Sequence, residues 1–302
     1  MSSRMETERA SPRFTDIDLW DPADILDCMI EAQFAAVGAV RAAQPAIEKA
    51  ARAMEARLTH RGRLIYAGAG TSGRLAVQDG AELAPTFGWP EERLLLLIAG
   101  GHEALSRSIE GAEDDVTQVT QFLDREGVNS DDVAIVVAAS GTTPFAVEAL
   151  REGRRRGALT VGIANNRDTP VLTESHCPIW LDTGSEVIAG STRMKAGTAQ
   201  KITLNALSSL LMIRLGKVCS GLMVDVRATN EKLLRRSERI LGQLTGCSLS
   251  DAREALQRAE GNLKVAALIL KGLERREAER ILTESDQDLR KALFDLPLRR
   301  NS

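Results

Sequence analysis

The chain has 302 residues, a net charge of −3, 43% hydrophobic and 27% charged residues. That balance is ordinary for a folded globular protein and excludes disordered and collagen-like chains, and the mild acidity argues against a nucleic-acid binder. Four cysteines (Cys28, Cys177, Cys219, Cys247) form no C-x-x-C pair, and His60, His102 and His176 are far apart, so no zinc ribbon or histidine metal site is expected. The thiols are expected to be buried and reduced. The polar start has no signal-peptide core, and no apolar run approaches the ~20 residues of a membrane span, so a cytoplasmic protein without membrane contact is expected.

Residues up to about 21 are polar and broken by proline, and read as an arm that packs on something else. Ile25, Leu26, Met29 and Ile30 then recur at helical spacing behind Asp21-Pro22, an N-cap followed by proline at N1. Helical pattern continues to about His60, with breaks near Gly38 and Pro45. Beyond it, short apolar runs at 64–67, 94–98, 133–138, 159–164 and 179–181 alternate with helical stretches. Such alternation predicts a parallel sheet sandwiched by helices, with right-handed crossovers. A largely apolar helix is predicted from Ser191 to about Gly216 and another from about Thr229 to Leu244. After a break at 245–247, three or four short helices follow, one started by Ser250 and the last capped by residues 283–286. The predicted division is an N-terminal arm and helices at 1–60, a main domain with following helices at 61–246, and a small helical bundle at 247–302.

Two loops carry the chemistry. Gly68-Ala69-Gly70-Thr71-Ser72-Gly73-Arg74 lies between a strand and a helix, where glycines permit close backbone approach and free helix N–H groups face an anion. It lacks the Lys-Ser or Lys-Thr pair of a Walker A loop, although Gly68, Gly70 and Gly73 satisfy the spacing of a dinucleotide fingerprint. Thr71 and Ser72 add hydroxyls that suit a phosphate monoester. Ala139-Ser140-Gly141-Thr142-Thr143-Pro144 repeats the design, with proline at a helix start. Both loops are expected at the carboxyl edge of the sheet, where open α/β sheets bind ligands. Asp79 and Glu82 are three residues apart, as are Glu110 and Glu113, but composition selects none of them from 42 acidic residues.

These loops, together with Pro85-Thr86-Phe87-Gly88, the run from Glu110 to Asp115 and the long run EVIAGSTRMKAGTAQK from Glu186 to Lys201, resemble the N-acetylmuramic acid 6-phosphate etherase family, built on a sugar isomerase (SIS) domain. The likeness runs from about residue 7 to 246, and the tail resembles the family's C-terminal segment, here read as ubiquitin-associated-like (UBA-like). The resemblance implies catalytic glutamates at Glu82 and Glu113, and phosphate contacts at Ser72, Ser140 and Thr142 or Thr143. It implies binding or supporting roles at Gly70, Thr71, Gly73, Glu186, Ser191 and Lys195, the last as a cation that stabilises an enolate or as an ordinary helix-start charge. The implied reaction is that of a carbon–oxygen lyase: loss of D-lactate from a ring-opened phosphosugar, then hydration. It needs an acid–base pair but neither a metal nor another cofactor. A homodimer with sites near its interface is implied too. The chain departs from the family where Ala81-Glu82-Leu83-Ala84-Pro85 replaces a Ser-Glu-Cys-Pro-Pro run, and Ser11-Pro12 replaces Asn-Pro. Two alternatives remain open at this point. One is a phosphosugar isomerase, for which His102 is the candidate ring-opening residue. The other is a non-enzymatic sugar-phosphate-sensing regulator, although the segment before Arg61 lacks a basic helix-turn-helix pattern.

Overall fold

The computed structural model describes residues 5–59, 61–225 and 231–299, so His60, Val226 and Thr229 lie outside the described residues. In chain order the helices and strands are α1 (Pro22–Ala42), α2 (Gln44–Leu58), β1 (Leu64–Gly68), α3 (Gly70–Ala81), α4 (Leu83–Phe87), β2 (Leu94–Ile98), α5 (Val116–Arg125), β3 (Val133–Val137), α6 (Pro144–Arg155), β4 (Leu159–Ala164) and α7 (Pro170–Thr173). They continue with β5 (Cys177–Trp180), α8 (Lys195–Arg214), β6 (Val218–Cys219), β7 (Leu222–Met223), α9 (Glu231–Thr245), α10 (Leu249–Arg258), α11 (Leu263–Ile269), α12 (Arg275–Glu284) and α13 (Leu289–Arg299). No described helix is long and apolar enough to cross a membrane. Two compact units form: Met1–Ala81 with Glu92–Ser209, and Glu82–Glu91 with Leu210–Ser302.

The first unit is built on a five-stranded parallel sheet in the order β2-β1-β3-β4-β5. The central strands β1 and β3 are apolar at nearly every position because helices cover both faces. Ile65, Ala67, Ala134 and Val136 pack with α5, α6 and α7, while Tyr66 turns to the opposite face, where α2 and α3 lie. The five predicted strands all form; the last begins two residues early, at Cys177.

The arm docks on its own unit. Thr7 is fully buried; its N–H donates to Asn166 Oδ1 and its hydroxyl accepts from Asn166 Nδ2 at 3.0 Å. The expected break at Gly38 is absent: α1 runs through it, since one interior glycine weakens a helix without ending it; the break falls at Ala43, ahead of Pro45. The predicted helix start at Ser191 moves to Lys195, since residues 188–194 are held in tight turns. Cys177 is buried as expected, but Cys28, on α1, is only half-buried.

The second unit has its own core, formed by Val224, Leu241, Leu256, Val265, Leu268 and Ile281 among others. Its last four helices match the expected number, but two starts differ. Ser248, not Ser250, caps α10, in a reciprocal pair with Asp251. Asp288 caps α13, its Oδ1 accepting from the N–H groups of Arg290 and Lys291, whereas Thr283 and Glu284 end α12. Cys219 is buried here and Cys247 half-buried.

Candidate active site

The sheet order places β1 and β3 side by side, with Gly68 opposite Val137, so the loops that follow them leave neighbouring strand ends. Successive connections from β1 and β3 go to opposite sides of this seam, which makes it the topological switch point where open α/β sheets bind ligands.

After β1 the turn is shorter than expected. Helix α3 begins at Gly70, so Thr71, Ser72 and Gly73 form its first turn, with the Gly73 N–H bonded to Ala69 O at 2.9 Å. The earlier N–H groups of that turn have no intrahelical partner, which is the arrangement that attracts anions. Ser72 is buried, while Gly70 and Thr71 are half-buried. Gly70 has φ +54°, a left-handed conformation, and a Cβ there would lie 3.1 Å from Glu113 Oε1. The Glu113 carboxylate therefore hangs over the β1 turn. Its backbone belongs to a short 3-10 turn, Ala112–Asp114, entered through the left-handed Gly111. That segment folds back on the end of β2, where Ile109 and Ala112 approach Gly100. Asp115 closes it by capping α5, its Oδ1 accepting from Thr117 and Gln118.

After β3, Ser140 Oγ and Thr143 Oγ1 are 3.2 Å apart, and the Thr142 N–H donates to Ser140 Oγ at 3.2 Å. All three residues are half-buried. Thr143 precedes α6 without capping it through its side chain; its hydroxyl meets Ser140 Oγ instead. Gly141, with φ +73°, has no room for a side chain, since a Cβ would fall 2.1 Å from Thr169 Oγ1.

Glu186 and Lys195 lie together but face structural partners. The fully buried Glu186 carboxylate accepts the Lys195 N–H (3.0 Å) and the Ala196 N–H (2.9 Å), capping α8. Lys195 Nζ donates to the carbonyls of Thr183 and Ser185. Burial draws the Lys195 ammonium below the usual lysine range, against the opposing pull of the Glu186 charge. Ser191 is half-buried in the turn between them, its N–H bonded to Ile188 O. Glu82 belongs to the second unit. It is exposed and stands at the start of α4, immediately after the last residue of α3, and its carbonyl accepts the Thr86 N–H.

Sequence reading missed Asn166, Thr169 and Asp115. Asn166 ties the arm to the second loop through a hydrogen bond to Ala139 O at 2.9 Å. Asp115 had a local signal, an acidic residue just before a helical run; Asn166 and Thr169 had none. His102 is exposed at the start of a 3-10 turn, His102–Leu105, and His176 Nδ1 accepts the Thr160 N–H.

Paired hydroxyl-bearing turns at the ends of adjacent parallel strands define a SIS-type fold. Family models agree: residues 46–152 match the glucokinase regulatory protein N-terminal SIS domain and residues 114–210 match the SIS domain. The chain is 48% identical over 294 residues to the N-acetylmuramic acid 6-phosphate etherase of Deinococcus radiodurans, covering 97% of this chain and 96% of that protein. It is 44% identical to the etherase of Streptomyces avermitilis, over 97% of this chain and 94% of that protein. The etherase of Geobacillus thermodenitrificans is 42% identical and covered in full by 97% of this chain. The chain belongs to the N-acetylmuramic acid 6-phosphate etherase family.

Proposed function

We infer that this chain cleaves the D-lactyl ether of N-acetylmuramic acid 6-phosphate, giving N-acetylglucosamine 6-phosphate and D-lactate, as part of cell-wall amino-sugar recycling in the cytoplasm. An ether resists direct hydrolysis because an alkoxide leaves poorly. Ring opening exposes an aldehyde at C1 and acidifies the C2 proton. Glu113 removes that proton, the resulting enolate expels the lactyl oxygen from C3, and Glu82 supplies the proton that oxygen takes. Water then adds at C3 of the unsaturated aldehyde, and C2 regains a proton. Each acid–base group contributes about 10²–10⁴-fold.

The phosphate is assigned to Ser72, Ser140, Thr142 and Thr143 together with the free N–H groups of the first α3 turn. Gly70, Thr71 and Gly73 let the substrate approach that turn. Glu186, Ser191 and Lys195 support it by fixing the start of α8. Phosphate binding then holds the reacting carbons in place, so remote binding energy serves the chemistry. The observation that carries the reading is the Glu113 carboxylate over the Gly70 turn, which pairs a proton acceptor with an anion-binding helix start.

The active form is read as a homodimer. On α1, Leu26, Ile30, Phe34 and Val37 form one stripe and are 53–73% exposed, an apolar face suited to a second copy. The division at 61–246 and 247–302, with a UBA-like tail, remains part of this proposal.

Incubation with N-acetylmuramic acid 6-phosphate and a lactate assay tests the reaction. Glu82→Gln abolishes lactate release and leaves sugar-phosphate binding in place; retained turnover refutes the role of Glu82. In ¹⁸O water the label enters the amino sugar at C3, and labelled lactate would mean that another bond breaks.

A further inference from the structure

The segment that carries Glu82 packs as part of the second unit, together with the C-terminal helices. Helix α4 is a single short body between Glu82 and Gly88. The Thr86 N–H bonds to Glu82 O (3.1 Å), the Gly88 N–H to Ala84 O (3.0 Å) and the Trp89 N–H to Leu83 O (3.3 Å), while Leu83 and Trp89 are buried. Five helical residues span about 7 Å at 1.5 Å each, so a shift at one end is felt at the other.

The far end of this body packs closely against Asp225. Gly88 has φ +63°, and a Cβ there would fall 2.1 Å from Asp225 O. Asp225 is held in turn by its side chain: Oδ2 meets Lys264 Nζ at 2.9 Å and Lys217 Nζ at 2.5 Å. Lys264 is 1% exposed, sits on α11 and gives a further hydrogen bond to Gln287 O at 2.7 Å. A polar cleft bordered by Gly88, Lys217, Asp225, Asn262 and Gln287 opens beside this cluster. A lysine buried among the helices of the tail is costly unless it is paired, and here its ion pair and its hydrogen bond reach outside its own helix, to the 217–225 hairpin and to the turn before α13. Burial lowers its affinity for a proton and the Asp225 carboxylate restores part of it.

We propose that Lys264 is a positioning residue for Glu82: through Asp225 and Gly88 it fixes the end of α4 and so the acid–base carboxylate at its start. The tail thereby acts on the reaction without touching the substrate. This rests on the assignment of Glu82 above, and goes beyond it by giving the C-terminal helices a role in turnover.

The test compares Lys264→Met, Gly88→Ala and Glu82→Gln in the full-length protein, with thermal unfolding measured on each. Lys264→Met keeps volume and leaves Asp225 its Lys217 contact, while Gly88→Ala pushes α4 off Asp225 and leaves the tail intact. Both are expected to lower kcat about 10- to 100-fold, the scale of a misplaced catalytic group, with KM within about threefold. The pH profile of kcat changes shape in both, which loss of folded protein alone would not produce. If Lys264→Met fails to fold, Gly88→Ala decides by the same readouts. Folded variants with wild-type kcat and pH profile, or with a change in KM alone, overturn the proposal. Turnover retained by Glu82→Gln would instead overturn the assignment on which it rests.

Discussion

Tyr66 donates its hydroxyl hydrogen to Asp79 Oδ2 across 2.9 Å, and both side chains are buried. Asp79 Oδ1 also accepts from Asn205 Nδ2 at 2.6 Å and Ser208 Oγ at 3.1 Å, so one carboxylate joins β1, α3 and α8. Burial, and then the Asp79 charge, pushes the Tyr66 phenol well above the usual tyrosine range. Tyr66 is the only tyrosine in the chain, so phenolate absorbance reports this site alone. The folded protein is expected to show no phenolate near pH 10, where the unfolded chain is about half titrated. The raised folded value means that the stability it confers is complete below pH ~10 and is lost as pH rises toward the folded value. Tyr66→Phe removes that slope and costs roughly 1.5–3 kcal/mol at neutral pH, read by urea unfolding. A native-state phenolate titrating at the ordinary value would contradict the hydrogen bond.

Glu186 is a second buried carboxylate with a structural task. Glu186→Ala leaves two N–H groups of α8 without acceptors and is expected to cost about 3 kcal/mol or more, since bonds to charged groups are worth ~1.5–3 kcal/mol each. Glu186→Gln retains one acceptor oxygen and costs less. Denaturant midpoints for the two variants give the comparison, and equal midpoints would show that the cap is not what the carboxylate provides.

Gly70→Ala tests the relation between the β1 turn and Glu113. The left-handed backbone penalises a Cβ by about 1 kcal/mol. The same Cβ also crowds Glu113 Oε1. Turnover is expected to fall about 10- to 100-fold, well beyond the loss in stability. A drop in activity no larger than the drop in folded fraction would separate Glu113 from the chemistry.

The α1 stripe leads to an association measurement. Ile30→Glu and Phe34→Glu place charges on an exposed apolar face, so the fold is expected to persist while a dimer gives way to monomer in sedimentation velocity. A wild-type protein that already sediments as a monomer removes the basis for pairing through α1.

The sheet was legible because buried parallel strands are continuous apolar runs, and β2 and β4 lie where those runs begin and end. Helix ends were harder to read, because a cap is a choice among neighbouring polar residues: Ser248 rather than Ser250, Asp288 rather than the run 283–286. Gly38 misled in the same way, since a glycine inside an exposed helix weakens it without ending it. The two turns of the candidate site were legible from glycines and hydroxyls placed between strand and helix. Glu113 was not, because nothing in its spacing predicts that residue 113 folds back over residue 70; only the family resemblance pointed to it. The docking of Thr7 on Asn166 is likewise a contact between distant parts of the chain with no local signature.

The β1–β3 ladder pairs segments separated by the whole of β2 and α5, and both hydroxyl-bearing turns hang from its end. Neither a nascent β1 nor an isolated β3 brings the two turns together; they become neighbours only once this long-range pairing has formed. A sugar phosphate bridging the two turns, as proposed above, would act as a staple across the slowest kind of contact to form. At a hundred times its dissociation constant it would add about 2.7 kcal/mol to the folded state. Hydrogen exchange along Leu64–Gly68 and Val133–Val137 should slow together when it binds, so the substrate would guard the same seam that sets the two turns side by side.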